Sequence, residues 1–533
     1  MKKIIVFTGS FNPITIAHYK IISDAVEKFD ADEGVFVITN DKYLEYKSLL
    51  KVKNPSSFRL SSQTRSEMIN SLANDNPKLN YWGKELGGAA PSTYKTLVKF
   101  MKDKVKQYPC EEIKLYYLFG ADKLKGISNW NHAEEIIGLC DFIVYVRNKD
   151  IEQIIKNNPL LDENRNRIHV MEVENEDLED VSSTEVRRRF FGGEDYSSLM
   201  NKGPYEILQK FSPKDFPPVS NEDLIKAYLN SPSGHSKSDA ARFVYGLNVK
   251  LFKSWPNWLG NKNEHSIAKV YDKPFTVNSS KQYNTEFGCV NKDCVDVAKE
   301  LLGEGLNPVI LNLASRTSPG GGYHLGYMAQ EETLCFESTL SQSLYSVGNI
   351  KYKHIRESGV PVGNCAYPMD LNFGGIYSPC VTFFRNNVDN SFEFRDGTFD
   401  CPVVSVASLS CKQPKDDDKK RKTKPKVNIE LVYFNNGYLT DEGREIESNK
   451  IRTIFRIALD NGHDSIVLGA FGCGAYRMNK EEVAALFKDI LEEKEFKNKF
   501  KKLVFAIYEG IPSPRKDPMG VDGKFEPFYR IFG

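Results

Sequence analysis

The chain has 533 residues, with 72 Lys and Arg against 71 Asp and Glu, for a formal net charge of +1. That balance excludes a general attraction to nucleic acid or to a membrane surface, so anionic substrates must be held by local sites. The length calls for more than one domain. Ten cysteines lack a C-x-x-C pair and zinc spacing, and they read as reduced thiols of a cytoplasmic or nuclear protein. Eight histidines form no cluster of metal-ligand spacing, so no resident metal is expected. No apolar run approaches the ~18 residues that span a bilayer. The apolar start is broken by Gly9, Asn12 and Pro13, too early for a signal peptide.

Residues 1–212 alternate strand and helix patterns. Apolar runs near 3–8, 34–39, 115–119, 142–147 and 168–173 read as buried strands with amphipathic helices between them. This order predicts a Rossmann-like, doubly wound parallel sheet. Between the first strand and the first helix stands Gly9-Ser10-Phe11-Asn12-Pro13-Ile14-Thr15-Ile16-Ala17-His18. A glycine turn that opens a helix offers free N–H groups and a favourable dipole to a phosphate. His18 falls in the first helical turn, facing that anion.

The run resembles the nucleotide-binding motif of the nucleotidyltransferase superfamily, in the Asn-Pro-x-Thr-x-x-His form closest to nicotinamide mononucleotide adenylyltransferases. Thr15 stands where many relatives have a second histidine. Phe119-Gly120-Ala121-Asp122 closes a strand and resembles the segment whose Asp holds a nucleotide ribose. Tyr81-Trp82 sits where the family has an aromatic that stacks on the nicotinamide ring, and core packing is the alternative. Val181-Ser182-Ser183-Thr184-Glu185-Val186-Arg187-Arg188 resembles the Ile-Ser-Ser-Thr-x-x-Arg motif. The resemblance implies transfer of AMP from Mg²⁺-bound ATP to nicotinamide or nicotinate mononucleotide. It implies a site of Gly9, Ser10, Phe11, Thr15, His18, Lys47, Trp82, Gly120, Asp122, Ser182, Ser183, Thr184 and Arg187, with Arg188 a further cation. The basic stretch 41–66, with Lys42, Lys47, Lys51, Lys53, Arg59 and Arg65, reads as a solvated loop or as a lid over triphosphate.

Residues 213–235 are rich in proline and serine and read as a linker. From 236 to 533 the pattern is again α/β. Helices are expected at 238–252, 294–302, 447–460 and 480–496, and strands at 308–313, 402–408, 465–468 and 503–507. Residues 411–427 are charged and low in complexity and read as a disordered insertion.

The strand at 308–313 leads into Asn312–Glu332, NLASRTSPGGGYHLGYMAQEE. Gly320, Gly321 and Gly322 let backbone approach a ligand and turn N–H groups onto phosphate. Gln330, Glu331 and Glu332 place a paired acid on the same segment. This pattern resembles the signature of poly(ADP-ribose) glycohydrolases, in the bacterial-type branch of the macrodomain family. The resemblance implies an α/β/α macrodomain that hydrolyses ADP-ribose glycosidic bonds. Glu332 would be the acid, its pKa raised by Glu331, and Glu331 would hold ribose hydroxyls. Asn312, Gly320, Gly321, Gly322 and Gln330 would orient ADP-ribose. The second glycine loop, Gly469–Tyr476, would supply Gly472, Cys473, Gly474 and Tyr476, and Tyr476 or Phe505 would stack on adenine. Partners are then ATP, the mononucleotide, and ADP-ribose or an ADP-ribosylated protein. Two alternatives stay open for this half: binding without catalysis, and release of single ADP-ribose groups rather than cleavage of polymer.

Overall fold

The computed structural model describes residues 1–50, 56–83, 93–124, 126–127, 130, 132–146, 151–172, 181–230, 236–413, 428–509 and 523–533. Most of the expected 411–427 insertion, together with Lys51 and Lys53, lies outside them. The chain forms two compact units, Met1–Ser236 and Lys237–Gly533. Among the described residues no helix is long and apolar enough to cross a membrane.

The first unit is built on six parallel strands: β1 (Lys2–Gly9), β2 (Glu33–Ile38), β3 (Leu79–Trp82), β4 (Ile113–Gly120), β5 (Asp141–Val146) and β6 (Ile168–Glu172). Their spatial order is β3-β2-β1-β4-β5-β6. Ile4, Ile5, Val6, Leu118, Phe142 and Val144 are fully buried, as expected where helices cover both faces of a parallel sheet. Gly34 is required by close approach: a Cβ there would stand 2.7 Å from both Leu79 and Val26, the latter on helix Ile16–Lys28. The chain runs outward from β1 in both directions. The crevice between the carboxyl ends of β1 and β4 is therefore the switch point at which such sheets bind nucleotides.

The C-terminal end of this unit takes in part of the stretch expected to be linker. Phe216 is buried in the first core, 4.5 Å ring to ring from Phe58. Helix Asn221–Leu229 buries Ile225 and Ala227 and is capped by Ser220, which accepts from Asp223 N–H.

The second unit carries a seven-stranded mixed sheet. Its strands are β7 (Lys269–Tyr271), β8 (Glu286–Val290), β9 (Pro308–Leu313), β10 (Gly375–Ser378), β13 (Val403–Val406), β16 (Ser465–Leu468) and β17 (Lys502–Ala506). Two hairpins, β11 (Thr382–Arg385) with β12 (Phe394–Asp400) and β14 (Phe434–Asn435) with β15 (Tyr438–Leu439), lie outside it. The order is β7-β10-β13-β9-β16-β17-β8. The five strands from β13 to β8 are parallel, and β10 runs antiparallel to both β13 and β7. This is a mixed α/β sheet, as the α/β pattern of residues 236–533 predicts. Helix Asp441–Asp460 buries Ile451, Ile454, Phe455 and Ile457 against one face. Two of its charged residues are buried with them: Glu447 accepts from Ser408 Oγ (2.7 Å) and Leu409 N (2.9 Å), and Lys450 Nζ donates to Ala407 O (2.6 Å). They fix the chain as it leaves β13.

Candidate active sites

In the first unit the loop after β1 is held from three sides. Asn12 donates from Nδ2 to Phe58 O (2.8 Å) and accepts from Leu60 N (2.9 Å). Arg65, fully buried, donates to Ser10 O (2.8 Å), Leu60 O (3.1 Å) and Asp41 (2.7 Å). The basic-stretch reading missed this role, because a cation among polar neighbours carries no sequence mark of burial. Phe11 takes a left-handed φ of 44°, and its ring lies over Gly9, where a Cβ would be 2.6 Å from it.

Thr15 caps helix Ile16–Lys28, and its Oγ1 lies 2.7 Å from His18 Nδ1. That contact fixes the imidazole in the first turn, with the Phe11 ring edge-on at 5.3 Å. Helix Ser183–Gly192 begins beside the same loop. Ser182 caps it, Ser183 Oγ donates to Pro13 O (2.7 Å), and Arg187 donates to Asn12 O (2.7 Å) and Thr184 Oγ1 (3.0 Å). Two helix N-termini thus flank one glycine turn, an arrangement that favours an anion.

Lys47 Nζ donates to Ser10 Oγ (3.2 Å). The side chain is exposed, and its pKa is lowered by desolvation from the surrounding protein and then by the Arg187 charge. Lys123, exposed just past β4, is lowered by desolvation from the surrounding protein and then by the Lys47 charge. Like charges gathered in this way raise the local potential for a polyphosphate. Lys123 was not singled out from sequence, although its place directly after Gly-Ala-Asp was a usable signal. Asp122 lies over the end of β4, its Oδ1 3.0 Å from where a Gly120 Cβ would stand.

Two residues have other work. Arg188 bridges Glu185 (2.9 Å) and Glu194 (2.5 Å) on the surface instead of serving the loop. Trp82 is core: its indole donates to Asp103 (3.1 Å) and packs edge-on against Phe100 at 5.6 Å.

In the second unit the paired acid sits at the carboxyl end of β9, on helix Gln330–Glu337. Glu331 and Glu332 are both buried. Glu331 accepts from Ser315 N (2.8 Å) and Asn312 Nδ2 (3.5 Å). Glu332 accepts from Gly322 N (2.7 Å) and Ala329 N (3.0 Å). Gly320 and Gly321 have φ of +70° and +58°. A Cβ on Gly321 would lie 2.4 Å from Glu332 Oε1 and 2.9 Å from Glu331 Oε2, so both carboxylates converge on one point of the loop. Burial, and then the adjacent Glu332 charge, holds the Glu331 carboxyl well above its ordinary range. Glu331 is the deeper of the two carboxyls.

Around the pair, Asn312 Oδ1 and the hydroxyls of Tyr345 and Tyr367 are buried without a partner. Such atoms call for a polar ligand. Burial, with Glu331 contributing, pushes both phenols up. Neither tyrosine carried a motif signal. Gly320 and Tyr345 are neighbours, 3.8 Å from a Gly320 Cβ position to the ring.

Three expected ligand residues are structural. Gln330 accepts from Leu313 N and donates to Leu311 O, both at 2.8 Å, so it pins the helix start to β9. Cys473 is buried with its Sγ toward Phe471 O (3.3 Å), and burial pushes its thiol up to about 12. Phe505, fully buried in β17, stacks on Phe532 at 4.5 Å and packs on Phe487 and Phe528, which leaves no ring face for adenine. Tyr476 remains at the site. Its hydroxyl accepts from Arg316 N (3.3 Å) and donates to Ala314 O (3.4 Å), joining the two glycine loops. In the second loop Gly472 has φ +72°, and a Cβ there would strike Ser408 Oγ at 2.2 Å, whereas the Cβ position of Gly474 is open.

Comparison with known proteins separates the two halves in the same way. Residues 6–189 match the family model described as cytidylyltransferase-like, and residues 259–386 match that of the microbial-type PARG catalytic domain. The chain thus carries a cytidylyltransferase-like region followed by a region similar to a microbial-type PARG catalytic domain. More particularly, the first half is similar to a probable nicotinate-nucleotide adenylyltransferase of Fusobacterium nucleatum, 29% identical over 209 residues, which are 39% of this chain and 97% of that one. A similarly described protein of Clostridium acetobutylicum is 27% identical over 214 residues, 39% of this chain and 98% of that one. The second half is similar to the solved poly(ADP-ribose) glycohydrolase of Thermomonospora curvata, with TM-score 0.40 and 19% identity over 55% of this chain and 99% of that one. The glycohydrolase of Deinococcus radiodurans in complex with ADP-ribose aligns with TM-score 0.33 and 20% identity over 46% of this chain and 84% of that one.

Proposed function

We propose that this chain makes the dinucleotide of NAD metabolism in its first half and hydrolyses ADP-ribose glycosidic bonds in its second. For the first half, the observation that carries the reading is the convergence of His18, Lys47, Arg187 and two helix N-termini on the Ser10–Thr15 loop. The mononucleotide phosphate attacks the α-phosphorus of ATP and pyrophosphate leaves. The nucleophile is already an anion, so the site works by positioning and charge neutralisation. Mg²⁺ enters as part of the ATP substrate, because the groups facing the loop are cations and hydroxyls. The similarity to nicotinate-nucleotide enzymes favours nicotinate mononucleotide as the acceptor. Purified protein given ATP and each mononucleotide should release pyrophosphate faster with the nicotinate form. Release with neither would refute the assignment.

For the second half, the carrying observation is the carboxylate pair closed over Gly321. Breaking a ribose O-glycosidic bond needs a proton for the leaving oxygen and a water for C1. Glu332 lies against Gly321 and Gly322, nearer the loop that holds the substrate, and is assigned as proton donor. Glu331, turned toward Asn312 and Ser315, orients ribose. Glu332→Gln should abolish ADP-ribose release while calorimetry still records ADP-ribose binding, because Gln keeps the size but carries no proton to give. Cleavage at a substantial rate by that variant would move the acid role to Glu331. Binding without cleavage by the wild type would leave a binding module.

A further inference from the structure

Beside the glycine loop runs a segment whose chemistry the two readings do not use. Residues 350–356 read Ile-Lys-Tyr-Lys-His-Ile-Arg, alternating basic and apolar or aromatic side chains. Ile355 is buried and anchors the segment, while Lys351, Tyr352, Lys353 and Arg356 are exposed. The segment is joined to the glycine loop ring by ring. His354 stacks on His324 at 3.8 Å with an interplanar angle of 11°, and Tyr352 stacks on His354 at 5.8 Å and 26°. His324 follows Gly322 by two residues, and the Tyr327 ring covers Gly322, 2.2 Å from where a Cβ would stand. Tyr327 is 61% exposed and Tyr352 is 42% exposed. A run of ring faces and cations therefore leads away from the loop that Glu332 holds. One acid stands in the patch, Glu357, 3.8 Å from Lys353 in an exposed pair.

We propose that Tyr327 and the 350–356 segment bind the second ADP-ribose unit of a polymer, the unit that carries the leaving oxygen. This rests on the glycohydrolase reading above and names its substrate as a polymer. Each unit of such a chain presents an adenine face and two phosphates. Exposed aromatic rings interleaved with cations recognise that combination without base-edge contacts. A single ADP-ribose group on a neutral peptide would use neither feature. The net charge of +1 gives the rest of the chain no comparable pull on a polyanion.

The test uses the full chain with ADP-ribose and with size-fractionated ADP-ribose polymer. Tyr352→Ala and the double variant Lys351→Glu, Lys353→Glu should each raise KM for polymer about tenfold at unchanged kcat. The Kd of ADP-ribose alone should not move. Tyr352→Phe, which keeps the ring, should match the wild type, and melting curves confirm that all variants fold. The charge variant should also show a shallower dependence of polymer KM on salt. If the wild type binds polymer without cleaving it, polymer Kd is read in place of KM with the same expectations. Unchanged polymer KM in both variants overturns the proposal. So does inhibition by single-stranded DNA equal to that by polymer, which would make the patch a general nucleic-acid surface, or a wild type that acts only on single attachments. A wild type that neither binds ADP-ribose nor cleaves polymer overturns the glycohydrolase reading itself.

Discussion

Gly321→Ala tests the geometry of the carboxylate pair with one methyl group. The new Cβ would lie 2.4 Å from Glu332 Oε1 and 2.9 Å from Glu331 Oε2, well inside contact distance. It would also sit on a residue with φ +58°, a conformation that costs an L side chain roughly 1–2 kcal/mol. Glu332 must move, and the 2.7 Å bond it accepts from Gly322 N must lengthen or break. A hydrogen bond to a charged group is worth about 1.5–3 kcal/mol. The sum is roughly 2.5–5 kcal/mol, felt at the loop. ADP-ribose release should fall by about 100-fold or more, since ~2.7 kcal/mol of misplaced transition-state contact corresponds to that factor. Adenylyl transfer should be unchanged. Gly303→Ala, at the end of helix Cys294–Gly303 with nothing within 4 Å of its Cβ position, is the control and should leave both activities intact. The assay is release of ADP-ribose from polymer, with the pyrophosphate assay run on the same preparations. A Gly321→Ala protein that cleaves at the wild-type rate would refute the close approach of both carboxylates to this loop.

His18→Ala should lower adenylyl transfer by ~100-fold while the melting curve stays close to wild type, since the ring touches the phosphate loop; near-normal pyrophosphate release would remove it from the site. Phe505→Ala should destabilise the second unit by about 3–5 kcal/mol, as for any buried aromatic, and ADP-ribose affinity measured well below the melting transition should be unaffected; a selective loss of affinity would restore its stacking role. Acid should weaken the second unit through His354, whose pKa is pushed down to about 4 by burial and then by His324. A group lowered in the folded state contributes stability above its unfolded value near 6.5, and that contribution is lost as pH falls toward 4. The melting temperature of the wild type should therefore drop across that window, more steeply than that of His354→Phe; parallel curves would disprove the linkage.

The parallel cores were legible because their strands are continuous apolar runs, as in Ile4–Phe7 and Ile466–Leu468. β3, β7 and β10 were not, since they are three or four residues long and take their place from neighbours rather than from a pattern of their own. The glycine loops and capping residues were legible because positive φ and N-caps constrain residue type. Side-chain direction was not. Gln330 and Cys473 belong to ligand-like motifs yet turn into the protein, and Phe505 is one more apolar residue of a strand whose burial depends on Phe528 and Phe532, far along the chain. Arg65 and Tyr367 reach their sites from segments with no motif, and only tertiary contacts place them.

The two N–H groups that anchor Glu332 also bear on timing. Gly322 and Ala329 donate to its two oxygens, and such donors bind an anion more strongly than a neutral acid. On the assignment proposed above, handing the proton to the departing sugar tightens both bonds. The glycine loop and the helix start are then drawn together as the glycosidic bond opens. Reprotonation relaxes that clasp, so the scaffold grips hardest at the moment of bond cleavage and loosens as the enzyme is recharged for the next turnover.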